Sequence, residues 1–92
     1  MSEIQSRRLN IVNEKGLHAR ASAKLVEVVE GFDASAEVSN DGMSASGDSI
    51  MGLLMLAASK GSTIEVQTSG PDALALADAL EALVADRFGE DR

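Results

Sequence analysis

At 92 residues the chain is one domain's worth of polypeptide, expected to fold as a single domain over residues 1–92 around one small core, without a deep enclosed active site. The absence of cysteine excludes a disulfide framework, a thiolate zinc site and a thiol nucleophile. A net charge of -7, with two Phe and no Trp or Tyr, argues against a nucleic-acid partner.

Leu9 and Ile11 alternate with Arg8 and Asn10, which predicts a short strand ended by Lys15-Gly16. From Ala19 to Glu30 the period becomes helical: Ser22, Leu25, Val26, Val29 and then Phe32 share one face, and Arg20, Lys24 and Glu27 the other. Gly31 closes that helix. Ala34, Ala36 and Val38 alternate with polar residues, Asn40-Asp41-Gly42 supplies hairpin chemistry, and Met43 and Ala45 begin a weaker strand. Asp48 or Ser49 caps a short apolar helix predicted from Ile50 to about Ser59. Ile64 and Val66 mark the clearest strand. Ser69-Gly70-Pro71-Asp72 opens a last helix that buries Ala73, Leu76, Ala77, Leu80, Leu83 and Val84, with Phe88 as a further candidate. The order β-α-β-β-α-β-α places the chain in the α+β class, a four-stranded antiparallel sheet covered on one face by three helices.

The longest apolar-rich stretch, nine residues from Ile50 to Ala58, falls far short of the ~20 residues that cross a bilayer, so no membrane insertion is expected. Met1-Ser2-Glu3-Ile4-Gln5 lacks the basic end and apolar centre of a signal peptide, and a cytoplasmic location is expected. Charge is unevenly spread. Residues 1–31 hold five basic and four acidic side chains, residues 32–92 three basic and eleven acidic, so an anionic ligand belongs with the N-terminal third.

His18, the one histidine, stands at the start of the first predicted helix. The first N–H groups of a helix lack internal partners and carry partial positive charge, which attracts phosphate and favours a neutral, nucleophilic imidazole. Arg20 follows with a planar fork suited to phosphoryl oxygens, and Lys24 adds a cation one turn on. A histidine at a helix start is more often a surface residue or weak cap, and two cations are more often a solvated face. No second His or Cys supports a transition-metal site, and the carboxylates have no metal-loop spacing.

Two segments sharpen this reading. Gly16-Leu17-His18-Ala19-Arg20-Ala21-Ser22 resembles the active-site signature of the histidine-containing phosphocarrier (HPr) family of the phosphoenolpyruvate-dependent phosphotransferase system. Ser49-Ile50-Met51-Gly52-Leu53-Leu54 is similar to its second signature, around a regulatory serine. The resemblance spans the chain, and Gly31-Phe32-Asp33-Ala34 and Leu54-Met55-Leu56 resemble the nitrogen-related branch more than the sugar-transporting one.

The resemblance implies a phosphocarrier, a phosphorylated intermediate rather than a stand-alone enzyme. Enzyme I would load ring nitrogen Nδ1 of His18, and a histidine of an enzyme IIA would unload it. Arg20 and the backbone N–H groups of Ala19 and Arg20 would hold the phosphoryl oxygens. No cofactor or metal is implied, and a monomer is expected. Ser49 matches the serine modified by an HPr kinase/phosphorylase in some lineages, although helix capping alone explains a serine there. Lys24, Ile50, Leu53 and Leu54 are candidate docking residues, with core packing the competing reading for Leu53 and Leu54. The runner-up function is a regulatory module of a nitrogen-related relay that signals by phosphorylation state. Two positions depart from the family pattern: Ala21 replaces the usual proline, leaving the first helical turn less firmly preset, and Asp48 stands where many relatives carry lysine, which weakens the regulatory reading of Ser49.

Overall fold

The computed structural model describes residues 3–92. Strands β1 (Glu3–Asn10), β2 (Ser35–Asn40), β3 (Met43–Ser46) and β4 (Thr63–Gly70) form one antiparallel sheet in the order β1-β4-β2-β3. Helices α1 (Ala19–Glu30), α2 (Ile50–Met55) and α3 (Ala73–Ala85) cover one face of it, and a 3-10 turn follows at Arg87–Gly89. This is the α+β architecture expected from the element order. No helix among the described residues is long and apolar enough to cross a membrane.

The sheet shows the period-2 logic plainly in β4. Ile64, Val66 and Thr68 are buried against the helices, while Thr63, Glu65 and Gln67 face outward. Thr68 is fully buried, and its hydroxyl donates to the Ala73 carbonyl at 2.7 Å, so its burial leaves no orphaned donor. Asp41 (φ 54°) and Gly42 (φ 84°) both lie in the left-handed region, the two-residue hairpin that Asn-Asp-Gly predicts between β2 and β3.

Strand β1 is longer than its apolar pattern suggested. It pairs with β4 from Glu3↔Gly70 to Asn10↔Thr63, including five residues, Ile4 to Arg8, with little apolar alternation. Arg7 explains the disguise. Opposite Val66 it points to the helix side, where its guanidinium bonds Asp78 (3.1 Å) and Glu81 (3.2 Å) of α3. A half-buried arginine stem thus fills an inward position that an aliphatic residue would have advertised.

Helix α2, by contrast, is shorter than expected. It stops at Met55, is capped by Leu56, and turns left-handed at Ala57 (φ 52°). That turn frees the Ala58 carbonyl to accept from the Leu17 N–H at 2.8 Å, which ties the segment to the loop before α1. The last helix begins at Ala73, because Ser69 and Gly70 belong to β4. Asp72 makes no side-chain cap; its carboxylate accepts from the Asp33 N–H (2.8 Å), and its own N–H donates back to the Asp33 carbonyl (3.1 Å).

The core joins Leu25, Val26 and Val29 of α1, Leu53 of α2, Leu76, Leu80 and Val84 of α3, and Val38, Ile64 and Val66 of the sheet. Phe88 completes it from beyond the end of α3, fully buried, while Leu83 is only half-buried.

Candidate functional site

The site starts in the turn Asn13–Gly16. The Gly16 N–H donates to the Asn13 carbonyl (3.2 Å), and the buried Asn13 amide returns a 2.8 Å bond to the Gly16 carbonyl. Gly16 adopts φ 63°, and a Cβ there would lie 2.3 Å from the Ala58 carbonyl oxygen, so both the left-handed turn and the close backbone approach call for glycine. Leu17 is then buried, and the chain enters α1 at His18.

His18 is the N-cap residue, with extended backbone (φ -78°, ψ -176°) and no side-chain cap. The first turn-closing bond of the helix runs from the Ser22 N–H to the His18 carbonyl (2.8 Å), so the N–H groups of Ala19, Arg20 and Ala21 precede the internal ladder. The helix begins at Ala19, and Ala21, its third residue, is fully buried. Arg20 is exposed, and its guanidinium makes no ion pair or hydrogen bond among the described residues. The His18 ring is about one-quarter exposed. Its Nε2 bonds the Glu90 carboxylate, whereas Nδ1 has no hydrogen-bonding partner among the described residues.

Glu90 arrives on a tightly fixed C-terminal segment. Arg87 (φ 57°), Phe88 (φ 55°) and Gly89 (φ 79°) lie consecutively in the left-handed region, at a cost of roughly 1–2 kcal/mol for each non-glycine residue. Burial of Phe88 offsets this, and the Lys24 ammonium donates to the Phe88 carbonyl at 2.7 Å. The segment delivers one Glu90 oxygen to His18 and the other to the Asn13 amide at 3.0 Å. Burial pulls the Glu90 carboxyl upward, but the hydrogen bonds from Asn13 and His18 and attraction to His18 and Lys15 outweigh it, leaving it below the ordinary 4.5. Beside this pair lies an open groove of about 440 Å³, lined by Lys15, Arg20, Lys24 and Arg92 together with Glu14, Glu90 and Asp91.

The structure therefore brings His18, Ala19, Arg20 and Lys24 together, but corrects one role. Lys24 is not a free exposed cation: it is half-buried and tied to Phe88, because the C-terminal segment folds back over α1. Around α2, Ser49 rather than Asp48 is the cap, its Oγ accepting from the Gly52 N–H at 3.1 Å, while Asp48 accepts from the Ser46 hydroxyl. Leu53 is fully buried and cannot dock a partner, since it points into the core between α1 and the sheet. Leu54 is half-buried, and Ile50 is exposed as expected. Sequence reasoning missed Met51 and Met55, the most exposed apolar residues of α2, which occupy the helical face opposite Leu53. It also missed Asn13 and Glu90, which lie 77 positions apart and carry no shared local pattern.

Comparison with known proteins agrees with this geometry. A family model, PTS-HPr, described as the PTS HPr component phosphorylation site, matches residues 5–86. Phosphocarrier protein HPr of Cupriavidus necator is 50% identical over 80 residues, covering 87% of this chain and 90% of that one. Phosphocarrier protein NPr of Escherichia coli is 42% identical over 84 residues, covering 90% and 93%. The crystal structure of HPr-C-His from Thermoanaerobacter tengcongensis matches with a TM-score of 0.90 at 31% identity, over 96% of this chain and 99% of that chain. With the match extending from within β1 through α3, the chain belongs to the HPr family and is a phosphocarrier of the phosphotransferase system.

Proposed function

We propose that His18 is the group that carries the phosphoryl moiety, taking it on Nδ1 from phosphorylated enzyme I and giving it to a histidine of an enzyme IIA. The observation that carries this reading is a one-quarter-exposed imidazole at a helix N-terminus without a side-chain cap, with Nδ1 unpartnered among the described residues. Phosphoryl transfer asks little covalent chemistry of the protein beyond a positioned nucleophile and fixed positive charge around the equatorial oxygens. The first-turn N–H groups of Ala19 and Arg20 supply fixed dipoles, and the Arg20 guanidinium, not engaged elsewhere among the described residues, supplies charge. The shallow site suits two successive partners, each of which must bring its own histidine against the same ring. One chain holds every group used here, in keeping with a monomer.

Phosphorus NMR of the protein with phosphoenolpyruvate, magnesium and enzyme I tests the reading, with His18→Ala as control. An acid-labile phosphoramidate signal is expected in the parent protein and absent from the variant; acceptance by His18→Ala would overturn the assignment. Arg20→Ala is expected to slow transfer about tenfold, less than the loss of a buried oxyanion donor because water screens this exposed cation. The branch is decided by the acceptor. A sugar-type enzyme IIA that drains the phosphoprotein indicates transport, and a nitrogen-type enzyme IIA that drains it alone indicates the regulatory module.

A further inference from the structure

The C-terminal segment is more strained and more firmly held than a chain end needs to be. Two left-handed non-glycine residues, a fully buried Phe88 and the Lys24 strut all converge on placing one side chain, Glu90, against the site. Backbone held in sparsely populated regions by surrounding structure is a mark of function. Glu90 is itself largely buried, its side chain 14% exposed.

We propose that Glu90 is the positioning residue of His18, holding the proton on Nε2 so that the Nδ1 lone pair faces the incoming phosphoryl group. A carboxylate only accepts hydrogen bonds, so the ring nitrogen that meets it carries the proton, and in a neutral ring the other nitrogen is then the nucleophile. Asn13 fixes the carboxylate in turn. Its amide nitrogen has two acceptors, the Gly16 carbonyl and Glu90, while its oxygen has no donor among the described residues; reversing the amide would set oxygen against oxygen at both contacts. Asn13 and His18 therefore both donate to Glu90, one to each carboxylate oxygen.

The transfer balances without a proton entering or leaving. The Nδ1 lone pair forms the new N–P bond as the N–P bond to the donor's histidine breaks, and that electron pair returns to the donor ring. The Nε2 proton stays between His18 and Glu90, where the carboxylate faces the positive charge that N-phosphorylation places on the ring. Unloading to an acceptor histidine runs the same steps in reverse.

This inference rests on the assignment of His18, and its test separates the two. Glu90→Ala and the isosteric Glu90→Gln are compared with the parent protein by nitrogen-15 NMR of the His18 ring and by single-turnover phosphorylation from enzyme I, with thermal melting to confirm the fold. In the parent, Nε2 is expected to carry the ring proton. Glu90→Ala is expected to mix the two tautomers and slow loading roughly ten- to a hundredfold, by analogy with the loss of the partners that orient metal-bound histidines. Glu90→Gln, able to accept from Nε2 through its amide oxygen, is expected to keep the parent tautomer better than Glu90→Ala and to load at an intermediate rate. Slowed loading with an unchanged nitrogen pattern would make Glu90 merely structural and overturn the proposal, as would parent-like loading in both variants. If His18→Ala is inactive while Glu90→Ala is parent-like, only this inference falls; if His18→Ala still accepts phosphate, both fall.

Discussion

Gly16→Ala tests whether the loop beneath His18 is held by close backbone contact. The substitution meets two separate costs. At φ 63° an alanine sits in the left-handed region, worth roughly 1–2 kcal/mol. Its Cβ would also lie 2.3 Å from the Ala58 oxygen, 2.8 Å from the Ser59 Cα and 3.2 Å from the Ala58 carbonyl carbon, all backbone atoms that cannot rotate away. Restoring ordinary contact moves the two segments apart by about 1 Å, which breaks the 2.8 Å bond between the Leu17 N–H and the Ala58 carbonyl. A buried bond left unmade costs roughly 1–3 kcal/mol more. The expected total is about 2–5 kcal/mol, a large share of the ~5–15 kcal/mol that stabilises a typical protein. Urea unfolding measures it, and Gly42→Ala is the internal control: it has φ 84° but nothing within 4 Å, so it carries the backbone cost alone. Gly16→Ala should therefore have the lower midpoint at an equal slope. Equal destabilisation of the two variants would refute the close approach, and with it the account of how the loop presents His18.

The remaining predictions concern the two ends of the site. Ser49→Ala removes the bond to the Gly52 N–H and should cost about 1 kcal/mol, read as a lowered Tm, whereas Ser49→Asp, which keeps a capping oxygen, should recover most of it. Docking of the C-terminal segment should respond to acid in a defined direction. The Glu90 carboxyl is held below its unfolded value, so the stability it contributes is complete above about pH 4.5 and is lost as pH falls through the lower folded value. A carbon-13 titration of the Glu90 carboxyl should give a midpoint below 4.5; a midpoint at or above it would show that burial wins over the Asn13 and His18 bonds.

Much of the fold was legible because burial and period coincide along most of the chain. Leu25, Val26 and Val29 on α1, and Ile64 and Val66 on β4, are apolar where the architecture needs apolar residues, so the spacing alone locates those elements. Legibility fails where a polar residue does an apolar residue's work or where a tertiary bond overrides a local preference. Arg7 occupies an inward position and satisfies its guanidinium on α3, which hides the first half of β1. Ala57 and Ala58 are good helix formers, yet the chain leaves α2 before them because the Leu17 N–H claims the Ala58 carbonyl. Helical spacing could place Leu53 and Leu54 on adjoining faces, but which one meets the core depends on how α2 is rotated against α1, and that is a property of packing.

The site divides along the same line. His18 and Arg20 are legible because the chemistry they offer depends on a local feature, the start of a helix, that a short stretch of sequence specifies. Glu90 is not, because its meaning depends on Phe88. As the last apolar residue of a helical series, Phe88 reads as a continuation of α3; were the helix to continue, each residue would advance only about 1.5 Å along the axis and carry the end of the chain onward past the sheet. Instead Asp86 ends the helix, Arg87 and Phe88 turn left-handed, and the ring is buried from outside the helix. That reversal sends the next two residues back across α1, where Lys24 holds the Phe88 carbonyl and Glu90 reaches the histidine 72 positions earlier. The aromatic residue at 88 therefore acts on the site through geometry: its burial determines where the carboxylate at 90 stands.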